Sequence, residues 1–195
     1  MDKQLGSCST YTPAKVGGYY GRPLKAGDKI EFNHQGHTER KISWSASPSF
    51  FTYLHKKEVR VLKSKQWNWF TEEAQSSFFS EEFTIQAESD RMGYRLDGPK
   101  LMMNEARELD TEGIATGTIQ VPPNGQPIIL MADSQPTGGY PKIANIITAD
   151  LPVIAQLKPL EKIQFKEVTL EEAYRALTTI EDDFKIIKAG IRLKM

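Results

Sequence analysis

Cysteine is nearly missing from this sequence: Cys8 is the only one in 195 residues. A single thiol excludes an internal disulfide and fits a reducing compartment. Net charge is missing too. Lys and Arg total 25, as do Asp and Glu, so no global field would draw the chain to nucleic acid or to a membrane surface. No apolar run approaches the ~20 residues of a membrane span. The opening Met1-Asp2-Lys3-Gln4-Leu5-Gly6 is polar and mixed in charge, unlike a signal-peptide core. Cytoplasmic residence is the expectation. Neither a Gly-x-Gly-x-x-Gly nor a Walker-type loop occurs, so the chain has no recognisable nucleotide cradle of its own. A Gly-x-Ser-x-Gly elbow is also missing. His34 and His37 stand three apart without a third ligand and His55 is isolated, so no metal site is expected.

What is present reads as a strand-rich fold. A chain of this length buries roughly 70% of its unfolded surface and needs no staples. Residues 1–45 are loop-rich, with closely spaced breakers at Gly17-Gly18, Gly21-Arg22-Pro23 and Gly27-Asp28. Lys29-Ile30-Glu31-Phe32 alternates as a short strand would. Further strands are expected at Val59–Leu62, Phe83–Ala87, Arg95-Leu96, Gly117–Val121, residues 127–132, Ile143–Ile147 and Ile163–Val168. Asn124-Gly125 between two of them is a hairpin signal, since both residues tolerate positive φ. Thr71 before Glu72 and Glu73 predicts a short helix over 71–79. Asp150 can cap a single turn. Thr169 and Glu172 fit a capping box that opens a C-terminal helix over 169–188. Short strands, Gly/Pro turns and few helices predict a closed barrel or sandwich with appended helices.

Two runs carry candidate chemistry. In Asp133–Lys142, Gln135 and Thr137 can bond an amide or ureido group. The Gly138-Gly139 pair can offer bare N–H donors to an anion or can simply turn the chain. Tyr140 can cover a ring or join the core, and Lys142 can place a cation beside a carboxylate or lie in solvent. In Ser89–Leu96, Arg91 can grip a carboxylate through its planar fork, with Asp90 holding the guanidinium or taking a proton. Alternatively, an Arg–Asp pair pins a strand end. Trp67, Trp69, Phe70, Phe78 and Phe79 read as core or interface.

Leu5–Tyr11, Gly17–Asp28, Ser89–Leu96 with Gly98-Pro99, and Gly117–Lys142 occur in an order that resembles the KipA family. The family is also known as the 5-oxoprolinase C subunit, allophanate hydrolase subunit 2, or biotin-dependent carboxyltransferase-related family. The resemblance covers nearly the whole chain, and its most specific part is Gln120–Lys142. Cys8 stands where a basic residue is expected in many relatives. In relatives another segment precedes the Leu-Gly-Ser run. The chain therefore reads as the C-terminal part of a longer protein, with residues 1–45 packing poorly or pairing with a second copy as a homodimer.

The resemblance implies a mainly β fold, a cyclophilin-like closed β-barrel over 46–195 with short helices and a C-terminal helix. It also implies a component of an ATP-dependent 5-oxoprolinase complex that opens 5-oxoproline to glutamate. The implied partners are a KipI-like protein and a LamB/YcsF-like protein, with ATP bound on one of these. The implied site contains Asp90 and Arg91 as catalytic residues. Gln120, Gln135, Thr137, Gly138, Gly139, Tyr140 and Lys142 would bind a small amide-bearing carboxylate. Two other roles stay open: a regulatory protein that counteracts the kinase inhibitor KipI, with Trp67 and Trp69 as exposed anchors, and a urea carboxyltransferase component.

Overall fold

The computed structural model describes residues 3–30, 45–105, 107 and 109–194. Two compact units divide the chain, the first ending at Trp44 and the second starting at Ser45. The first unit is held by turns and one small ribbon, β1 (Thr10–Tyr11) paired with β2 (Val16–Gly17). Its charged clamp is Arg22 on Asp28, with both fork contacts at 2.8 Å. The Arg22 guanidinium and the Lys25 N–H hold the Asp28 carboxyl well below the usual carboxylate range. Gly18 has φ +49°, and a Cβ there would fall 1.9 Å from Thr10 Oγ1, so the turn admits no side chain. Lys29 and Ile30 lie outside any strand, and Glu31 and Phe32 fall outside the described residues, as do His34 and His37.

Among the described residues, the second unit is built on β3 (Glu58–Lys63), β4 (Phe83–Ile85), β5 (Gly93–Asp97), β6 (Glu112–Gly113), β7 (Thr118–Gln120), β8 (Ile128–Leu130), β9 (Thr137–Gly138), β10 (Lys142–Ile146) and β11 (Lys162–Glu167). Seven of them close a barrel in the order β10-β3-β11-β4-β5-β8-β7, and β6 and β9 form a separate ribbon. Closure leaves none of the seven with an unpaired edge. Alternation selects the inner face. Val59 and Val61 of β3 and Ile163 and Phe165 of β11 are buried, while their neighbours in sequence are not. These two strands run parallel, with Phe165 opposite Val59.

Helix α1 (Glu72–Ser80) starts where expected, because Thr71 Oγ1 accepts the Ala74 N–H at 3.1 Å. Its Phe78 is fully buried and stacks on Phe165 at 4.6 Å. Each such aromatic contributes about 1.5–3 kcal/mol by burial. Trp67 joins this cluster, with only 9% exposure. It is a core residue rather than an exposed anchor, and Trp69 is half-buried.

Helix α2 (Leu151–Gln156) follows a turn at Thr148–Asp150. Asp150 occupies the cap position but makes no side-chain cap bond. Its buried carboxylate instead accepts three bonds from Arg60, through the backbone N–H (2.8 Å), Nε (2.9 Å) and a terminal nitrogen (2.6 Å). The C-terminal helix α3 spans Leu170–Lys194. The capping box is reciprocal: Glu172 accepts the Thr169 N–H at 2.7 Å, and Thr169 Oγ1 accepts the Glu172 N–H at 3.2 Å.

Candidate functional site

The β7–β8 hairpin sets the geometry of the site. The chain turns over Pro122–Gly125, with the Gly125 N–H donating to the Pro122 carbonyl at 2.9 Å; Gly125 takes φ +79°, but Asn124 does not share the positive φ that the Asn-Gly signal allows. Ile119 of β7 faces the barrel core, so Thr118 and Gln120 face the other way. They are nonetheless buried. Across the sheet Gln120 is in register with Lys142, and a bulge follows between Lys142 and Ala144. A bulge re-aims side chains, and here it leaves Lys142 on the same face as Gln120.

The ribbon of β6 and β9 covers this face. Glu112 pairs with Gly138 in the ribbon, and Gly113 pairs with Thr137. The Lys142 ammonium meets the Glu112 carboxylate, and Gln66 Nε2 donates to the same oxygen at 3.2 Å. The Lys142 side chain is 9% exposed and that of Glu112 43%. The hydrogen bond from Lys142 holds the Glu112 carboxyl below its ordinary pKa. Gly138 lies directly against Gln120, since a Cβ on it would sit 2.6 Å from the Gln120 amide nitrogen. Gln120 Nε2 also points to the Tyr140 carbonyl at 3.5 Å, and Ser64 Oγ donates to the Lys142 carbonyl. The result is a buried lysine and a buried amide side by side, roofed by a glycine corner. In this arrangement Glu112 neutralises Lys142, so a carboxylate ligand would take the place of that half-exposed side chain, with Gln120 beside it to meet an amide edge.

Arg91 sits elsewhere. It precedes Gly93, which pairs with Leu130, whereas Gln120 pairs with Ile128 at the other end of β8. Arg91 and the Lys142–Gln120 pair thus belong to opposite ends of the same strands. The Arg91 fork is taken by Asp133, at 2.8 and 3.0 Å, on an exposed surface. Asp133, not Asp90, orients the guanidinium. Asp90 accepts the backbone N–H groups of Met92 (2.8 Å) and Gly93 (3.2 Å), closing the turn before β5. The Asp133 N–H also bonds the Arg91 carbonyl at 2.9 Å, so the two loops are tied twice. This matches the alternative in which an Arg–Asp pair pins a strand end.

Gln135, Thr137, Gly139 and Tyr140 are exposed along the loop that joins the two regions. A Cβ on Gly139 would meet the Leu109 carbonyl at 3.3 Å, so that corner is tight but less so than Gly138.

Sequence reading missed Glu112, Gln66 and Asp133 in these roles. Glu112 lies 30 residues from Lys142 and Asp133 lies 42 from Arg91, and no local spacing rule links such pairs. Among the described residues no group of three or more His, Cys, Asp or Glu side chains is placed to hold a metal ion. None of the described helices is long and apolar enough to cross a membrane.

Residues 1–167 match the family model described as "Carboxyltransferase domain, subdomain A and B". The chain is 41% identical to the 5-oxoprolinase C subunit of Haemophilus influenzae and 38% identical to that of Escherichia coli, over 89% and 88% of its own length. It covers 54% of each, so it spans about half the length of these curated relatives. Among solved structures, the Kluyveromyces lactis urea amidolyase superposes with a TM-score of 0.71 at 25% identity, over 93% of this chain and 12% of that one. The chain belongs to the carboxyltransferase-domain family with subdomains A and B.

Proposed function

We propose that this carboxyltransferase-family chain is the C-type component of an ATP-dependent 5-oxoprolinase. It would act with a KipI-like protein and a LamB/YcsF-like protein, the ATP being held by one of these partners. The observation that carries the reading is the buried Lys142 ammonium beside the Gln120 amide under the Gly138 corner. 5-Oxoproline joins a carboxylate to a cyclic amide. Lys142 exchanges the half-exposed Glu112 for the substrate carboxylate by a charge-assisted bond, and Gln120 offers both a donor and an acceptor to the lactam edge. Gln135 and Thr137 border the site from the exposed loop. The Gly139 N–H is the candidate donor to the carbonyl oxygen as it gains charge. Arg91, already satisfied by Asp133, acts as a brace between two loops. The names of the two bacterial relatives support the substrate.

A second reading is carboxyl transfer to urea, favoured by the likeness to urea amidolyase. Urea has the amide edge but no carboxylate, so it would leave Lys142 on Glu112 and use only the amide partner Gln120.

The test is reconstitution. The complete protein containing this region is mixed with its KipI-like and LamB/YcsF-like partners, and ATP-dependent release of glutamate from 5-oxoproline is followed. Glutamate release that requires the chain supports the reading. A complex that assembles, leaves 5-oxoproline intact and consumes urea overturns it.

A further inference from the structure

Helix α3 is 25 residues long, about 37 Å at 1.5 Å per residue. Its principal neighbour among the named elements of its unit is the short turn Thr148–Asp150, so much of its length stands clear of the barrel. Leu170, Leu177, Ile180, Phe184, Ile187 and Ile191, with Ala173, recur at alternating steps of three and four. That period is 3.5, not 3.6. A helix lying on its own domain shows a broader stripe, whereas a strict two-in-seven seam suits a second helix. On the seam, Phe184 is 58% exposed and Ile191 36%, while Ile180 and Ile187 are half-buried; the exposed Ile186 and Leu193 stand off it. Gly190 sits in the distal half with open space around it. An interior glycine weakens a helix by about 1 kcal/mol, so this half depends on packing to stay helical.

Charge selects the partner. Before Phe184 the helix is mainly acidic, with Glu171, Glu172, Glu181, Asp182 and Asp183. After it the charged side chains of Lys185, Lys188 and Arg192 are all basic. Such a helix is complementary to itself when reversed. We propose that two copies of this chain associate through the distal halves of α3 as an antiparallel two-helix coiled coil. The seam sets the register. Phe184 packs on the partner's Ile187, and Ile180 packs on the partner's Ile191. Glu181 then lies beside the partner's Lys188. A shift of one heptad would bring Glu181 against its own copy, which is repulsive, whereas parallel pairing would replace the Glu181–Lys188 contact by one between Asp183 and the partner's Lys188. The two barrels emerge at opposite ends of the pair, and the contact is closed and two-fold.

Sedimentation of the chain tests this. The wild type should give twice the 22.0 kDa chain mass. The double variant Phe184→Lys/Ile187→Lys should give the single mass with unchanged urea unfolding of the barrel. Lys188→Glu should weaken association at least several-fold, and Glu181→Lys combined with Lys188→Glu should restore it. Restoration is peculiar to the antiparallel register, because parallel pairing brings Lys188 beside Asp183 and leaves the double variant unrescued. A wild type that stays monomeric at every concentration overturns the proposal. So does a dimer indifferent to the Phe184→Lys/Ile187→Lys change, or one that the charge swap fails to rescue.

Discussion

Replacing Lys142 by methionine separates the two jobs this side chain can have. Methionine keeps the length and loses the charge. The lysine side chain is only 9% exposed, so its ammonium is largely stripped of water and any carboxylate it meets gains a charge-assisted bond. Such a bond is worth about 1.5–3 kcal/mol, or roughly 10- to 160-fold in affinity. The cost to the fold should be small. The Glu112 side chain is 43% exposed and can turn to water, while Gln66 still donates to it. Removing one partner of an ion pair is costly when the other charge stays buried, and Glu112 does not. In the reconstituted complex, KM for 5-oxoproline should therefore rise by roughly 10- to 160-fold, while the urea midpoint of the isolated chain moves little. Unchanged KM in a wild-type-like folded complex would refute the reasoning and leave Lys142 as a strut for the β6–β9 ribbon. An inactive wild-type complex would fail at the functional reading instead, before this variant is reached.

Two other outcomes follow from polar pairs in the second unit. Asp150→Ala leaves the Arg60 backbone N–H and guanidinium without their acceptor. It should lower unfolding free energy by about 3 kcal/mol, near the low end for a broken buried pair, because Arg60 keeps 29% exposure; urea unfolding measures this, and a loss indistinguishable from zero would contradict the packing described. The Glu172 carboxyl is held below its ordinary pKa, first by the Thr169 backbone N–H and then by its hydroxyl. A depressed folded-state pKa means that the stabilisation is present at neutral pH and fades as pH falls through the folded value. Glu172→Gln should therefore weaken the start of α3 at neutral pH and flatten the acid-side loss of far-UV helical signal; an acid limb identical to wild type would count against the reciprocal cap.

Much of the fold is written locally in this chain. Thr71 followed by two acids starts α1, Thr169 and Glu172 start α3, and Asn124-Gly125 folds the β7–β8 hairpin, because each signal acts within four residues. The alternation of Val59 and Val61, and of Ile163 and Phe165, likewise declares an inner and an outer face. The polar residues of the Asp133–Lys142 run announce chemistry without telling which of them are buried. Only the closed barrel decides that. It brings Gln120 and Lys142 to one face, lays Gly138 over them and delivers Glu112 and Gln66 from distant segments. It also takes Arg91 to the other end of the strands, where Asp133 meets it. Such pairings depend on which strands become neighbours and in what register. That is settled by the burial of the whole apolar set at once, so no short stretch of sequence can encode it alone.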